Sequence, residues 1–259
     1  MSSHTVDYSV SLAIIGCNFA LLSMVWKRRL QFSIPLFIAY VLFETIQSVL
    51  FLILLSLTFV THVIPRPWYD SIYFVLLFLE YVLQLGVLYQ LFHELFRPHK
   101  VLPDRAFQVF LFGCIALLVA SGLVAMAQPE HLDNQLFSIF IDIYRSFSLL
   151  QCVGYFFVVA FASALGLPRR HPIVGIALGM GTSNLGALAT AAILTRFGEG
   201  YEFIKYLPDL VYICAAIIWI EYFRHSESQR QAIHPQMLSS LQKLKRFIDS
   251  IFSSAVSQP

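Results

Sequence analysis

Five ionisable side chains stand inside stretches that are otherwise apolar: Glu44, Glu80, Asp142, Arg145 and Asp209. Each has polar company at helical spacing. Glu44 is followed by Gln47, Glu80 by Gln84, and Asp142 by Tyr144 and Arg145, with Gln151 further on. Asp209 lies between Lys205 and Tyr212, and Thr182, Ser183 and Asn184 form a polar step among small residues. Spacings of three and four place each pair on one helix face. An ionisable group inside a membrane span costs about 2.5–3.5 kcal/mol on insertion scales, so each of these needs a partner or a purpose. The formal charges are four acids against Arg145, with Lys205 closer to the rim. That excess points to an acid that holds a proton or binds a cation. Arg145 is the strongest single candidate, because a buried guanidinium suits two-point recognition of a carboxylate, from a ligand or from Glu44 or Glu80. Blander readings stand beside these. Asp142 with Arg145, and Lys205 with Asp209, are spaced to neutralise one another within a helix. Gln47, Gln84 and Asn184 have the chemistry of interhelical hydrogen-bond glue.

The elements that must position these groups follow from composition. Of the 259 residues, 58% are hydrophobic and 12% charged, with a mean hydropathy of +0.72. Soluble domains average about 45–50% and about 25%. So few charges cannot cover a soluble fold, which excludes a soluble enzyme, and disorder, collagen and coiled coil fall with it. A net charge of +2 gives no electrostatic footprint for nucleic acid. A bilayer core needs about 20 apolar residues per helix. Seven stretches are long enough: 7–26, 31–60, 69–95, 106–127, 135–165, 173–195 and 203–223. The fold class expected is therefore all-α, an integral membrane bundle of seven transmembrane helices over 1–223, followed by a tail over 224–259. The second, third and fifth stretches exceed 25 residues and should tilt, kink or extend beyond the bilayer. One polar layer could then gather Glu44, Glu80, Gln84, Asp142, Arg145, Asn184, Asp209 and Tyr212 from the second, third, fifth, sixth and seventh spans.

Orientation follows from lysine and arginine. Of 17 such residues, 13 fall in the first, third and fifth loops and the tail, three in the remaining loops, and one is Arg145. The N-terminus is expected outside and the tail in the cytosol, with the polar layer open outward. The first span lacks a basic leader and is followed by Lys27-Arg28-Arg29, which reads as an anchor and not a cleaved signal. In the sixth span, Gly175 and Gly179 form G-x-x-x-G, and Ser183 and Ala187 continue the small-residue row. Such a face packs closely inside a bundle or forms a mobile or homodimeric seam. In the tail, residues 236–252 place Met237, Leu241, Leu244, Phe247 and Ile248 opposite Lys243, Lys245 and Arg246. That is an amphipathic helix for the anionic inner leaflet or for a protein partner. The cysteines, all within spans, read as packing residues.

Motifs of familiar membrane chemistry do not occur. Lys205 is too near a helix end to carry retinal, and the eight histidines lie in tails, loops or at helix ends, away from any haem position. His93-Glu94 has no second histidine four residues on, and there is no P-loop or G-x-S-x-G. No cofactor and no enzyme activity are expected. The third stretch, Tyr69-Asp70-Ser71-Ile72-Tyr73 through Glu80-Tyr81 to Tyr89-Gln90-Leu91-Phe92-His93-Glu94-Leu95-Phe96, resembles a run in bacterial seven-helix membrane proteins of unassigned function. By topology, residues 1–223 are similar to the seven-helix sensor modules that precede bacterial histidine kinases, without the kinase part. The resemblance implies a sensor- or receptor-like protein of the cell membrane, the inner membrane in a bacterium. Its expected partners are the lipid bilayer, a small or lipid-like ligand in an outward-facing pocket, and another protein reached through the tail. The other functional reading is a small-solute or proton-coupled transporter using Glu44 and Glu80.

Overall fold

The computed structural model describes residues 3–28, 34–57, 66–96, 132–164, 167–168, 170–197 and 206–225. Six helices occupy them: α1 (Ser3–Lys27), α2 (Pro35–Leu55), α3 (Arg66–Phe96), α4 (Leu132–Ala164), α5 (Pro172–Phe197) and α6 (Leu207–Arg224). No strand occurs among the described residues. The helices coincide with six of the seven expected spans. The expected span 106–127 and the tail helix 236–252 lie outside the described residues. Five stretches are long and apolar enough to cross a membrane: Tyr8–Lys27, Pro35–Leu54, Val75–Phe96, Arg145–Ala162 and Pro172–Ile193. By length and composition the chain is a multi-pass membrane protein. The sixth helix is shorter, and carries Asp209, Glu221 and Arg224 within 18 residues.

Local chemistry sets the helix ends. Pro35 opens α2, where its missing N–H and fixed φ suit a first turn. Ile34 offers no side-chain cap, so the orphan N–H of Leu36 is taken by Gln90 Oε1 of α3 at 2.9 Å. A neighbouring helix thus does what water cannot do in hydrocarbon. Pro208 and Asp209 stand in the first turn of α6, where a carboxylate meets the positive end of the helix dipole. At 31 and 33 residues, α3 and α4 outrun a bilayer core of about 30 Å, as their segment lengths predict.

The helices pack in chain order and close into a ring, α6 returning against α1, with α3 also touching α5. The outside of the ring is apolar: Leu12, Phe19, Ile46, Phe78, Val153 and Ile217 are all more than half exposed. Such a surface suits lipid, with Trp26 and Trp68 near helix ends where interfacial tryptophans sit. One half of the interior is filled. Trp219 is fully buried there, its indole N–H donating to the Ile176 carbonyl at 3.3 Å. Phe37, Tyr40 and Tyr212 meet its ring edge-on at 5.1, 6.4 and 5.8 Å. Leu21, Val25, Leu88, Leu91, Leu95 and Phe223 complete this plug.

The glycine row explains how α5 and α6 come so close. A methyl group added at Gly175 would overlap Tyr222, one at Gly179 would overlap Trp219, and one at Gly186 would sit 2.6 Å from Val211. The G-x-x-x-G step therefore packs inside the bundle. Gly179→Ala should lower thermal stability in detergent by about 1–3 kcal/mol through overpacking. Gly16→Ala, where an added methyl meets nothing within 4 Å, should be neutral or mildly stabilising. Equal melting temperatures for the two variants would contradict this packing.

Candidate functional site

The other half of the interior is a partly enclosed cavity of about 400 Å³. Each wall is one face of a helix. Glu44, Gln47, Ser48 and Phe51 come from α2, and Tyr73, Leu77, Glu80, Tyr81 and Gln84 from α3. Ser183, Asn184 and Ala187 come from α5, Pro208, Asp209 and Tyr212 from α6, and Ser11 and Ile14 from α1. The spacings of three and four that grouped the polar residues in sequence are the spacings that turn them to one side.

The deepest polar contact joins α2 to α3. The carboxyl groups of Glu44 and Glu80 lie within hydrogen-bonding reach of one another, and the Gln47 side chain also bonds Glu80. Gln84 Nε2 donates to Glu80 Oε1 at 2.8 Å. A contact between two carboxyl groups is attractive only when a proton sits between them. Around this pair most amide and phenol donors are engaged by protein. The Tyr212 hydroxyl donates to Asn18 Oδ1 at 2.8 Å, and Asn184 Nδ2 donates to the Met180 carbonyl at 2.9 Å. The α3 wall is braced from α4, where the Tyr155 hydroxyl donates to the Gln84 carbonyl at 2.6 Å and Gln151 Nε2 to the Tyr81 carbonyl at 3.4 Å.

Six of the residues expected at the site therefore line one cavity: Glu44, Glu80, Gln84, Asn184, Asp209 and Tyr212. Arg145 does not. Its side chain is exposed and is not part of the lining, which corrects the expectation of a buried guanidinium. The cause is helical register. Arg145 shares a stripe with Leu149, Val153 and Phe156, all at least 41% exposed, while Ser148, Gln151, Tyr155 and Val158 turn inward. Standing at the end of its span, an arginine reaches the interface without a buried partner. Asp142 lies on the backbone of α4 one turn earlier. Its side chain, like Lys205, lies outside the described residues. Among the described residues the cavity draws on α1 as well, which was not expected. Ser11 and Ile14 are the additions from α1, and their signal was the stripe Ser11, Ile14, Asn18, Leu21, Val25, stepping by three and four.

Among the described residues no lysine, arginine or histidine lines the cavity. Among the described residues no group of three or more His, Cys, Asp or Glu could hold a metal ion, and Cys17, Cys152 and Cys214 are unbridged. Comparison with family models, curated proteins and solved structures finds no match.

The geometry separates two substitutions on α4. Arg145→Ala should change stability by no more than about 0.5 kcal/mol, as for an exposed side chain. Tyr155→Phe removes the bond to the Gln84 carbonyl and should destabilise by about 0.5–1.5 kcal/mol. Thermal unfolding in one detergent measures both, and the reverse order would contradict the register of α4.

Proposed function

We propose that this chain is a non-enzymatic, sensor- or receptor-like membrane protein that binds a small or lipid-like ligand in the cavity between α1, α2, α3, α5 and α6. The observation that carries the reading is a polar cavity of about 400 Å³ seated against a filled apolar plug. Its size falls within the range of small-ligand sites, about 300–1,000 Å³. Aromatic walls and a few convergent polar groups are the usual makeup of such sites. Among the described residues, Phe37, Tyr40, Trp219 and Phe223 are buried and fill the half of the interior beyond the cavity, which favours binding over passage.

Charge supports an outward cavity. Lys27, Arg28, Arg170 and Arg224 are exposed at the plugged end, where Arg28 Nη2 donates to the Arg224 carbonyl at 2.5 Å. The positive-inside rule makes that end cytosolic and the cavity external. The amphipathic segment 236–252 would then lie on the inner leaflet, placed to pass a signal to a second protein.

A proton-coupled transporter is the second reading, and one observation favours it: the Glu44–Glu80 carboxyl pair in the cavity. Native mass spectrometry and reconstitution distinguish the two. The gently solubilised wild type should retain a small bound mass that Glu80→Gln loses, and proteoliposomes should show no solute or proton flux. Flux that Glu80→Gln abolishes would replace the receptor reading with the carrier.

A further inference from the structure

Resting on the reading of this cavity as a ligand site, we propose that its ligand is a protonated amine bearing N–H groups, a primary or secondary ammonium beside an apolar body. The argument is a census of donors and acceptors. Three carboxyl groups, those of Glu44, Glu80 and Asp209, border the cavity, and among the described residues no cationic side chain does. Gln47 and Gln84 also border it, at 8% and 4% exposure, and the amide oxygen of each is buried without a hydrogen-bond partner. Their amide nitrogens are already committed to Glu80.

Two further donors on the walls are engaged by protein. Asn184 Nδ2 donates to a backbone carbonyl, and the Tyr212 hydroxyl donates away from the cavity to Asn18. The two buried polar atoms of lining residues that have no partner are both acceptors. A buried amide oxygen without a partner is unfavourable by about 1–3 kcal/mol, and an arriving N–H donor removes that penalty. Serine hydroxyls at 11, 48 and 183 accept or donate and so do not oppose this.

Charge and shape agree with the census. A carboxylate or phosphate ligand would meet three acids, which disfavours it in a low dielectric. A quaternary ammonium satisfies the charge but has no N–H for Gln47 and Gln84. Phe51, Tyr73, Tyr81 and Tyr212 supply rings on which a cation or an apolar tail can rest.

The test uses the full chain in nanodiscs and three probes of one size: 2-phenylethylammonium, its N,N,N-trimethyl analogue, and 3-phenylpropionate. Isothermal titration at neutral pH should show the primary ammonium binding at least tenfold tighter than the trimethyl analogue, with no binding of the carboxylate. Asp209→Asn and Glu80→Gln should each weaken the primary ammonium at least tenfold, and Asp209, in the first turn of α6, is the variant less exposed to folding failure. Equal or tighter binding of the trimethyl or carboxylate probe would overturn the amine assignment and leave the cavity standing as a ligand site. Failure of all three probes to bind would overturn both.

Discussion

Two carboxyl groups cannot be left in hydrocarbon without each other, and the architecture of this bundle follows from that. Glu44 and Glu80 sit within the apolar spans of α2 and α3 and touch. Each alone would carry an insertion penalty of a few kcal/mol. Together, with the amides of Gln47 and Gln84, they form a polar contact that holds α2 against α3. Because polar groups of this kind must turn from lipid, the faces of α5 and α6 that meet them are polar too, at Ser183, Asn184, Asp209 and Tyr212.

The same helices seal the other half of the interior. The small-residue row of α5 changes role along its length. Gly175 and Gly179 receive Tyr222 and Trp219 and bring the backbones together, whereas Ser183 and Ala187, one and two turns on, face the cavity. Tyr212 marks the division, bordering the cavity while its ring meets Trp219 at 5.8 Å. A ligand that displaced Tyr212 or opened the Tyr212–Asn18 bond would therefore press on the plug and on α1. In the receptor proposed above, this would link the cavity mechanically to the plugged end.

Much of this was legible in the sequence, for a physical reason. Span lengths and breaks located six helices because a bilayer fixes the number of apolar residues a helix needs. The polar layer was legible because charge inside a span demands burial, and six of eight expected site residues line the cavity. Arg145 misled because rarity inside an apolar run marks a residue as notable without fixing its azimuth. The exposed stripe of Leu149, Val153 and Phe156 is more apolar than the buried stripe of Ser148, Gln151, Tyr155 and Val158, the reverse of a soluble helix, because lipid takes apolar side chains as readily as a core does. Ser11 was passed over for the opposite reason. A lone serine carries no penalty that demands explanation, and only the ring closure of α1 on α6 brings it to the cavity.

In the proposed receptor, a water-reachable polar cavity faces outward above a sealed cytosolic half. Thiol accessibility tests it most directly. In a chain with Cys17, Cys114, Cys152 and Cys214 replaced by alanine, Ser183→Cys should react with a membrane-impermeant maleimide added outside intact cells, and Phe37→Cys should resist it from either face. Labelling of Ser183→Cys only from the cytosolic side, or from neither side, would contradict the account.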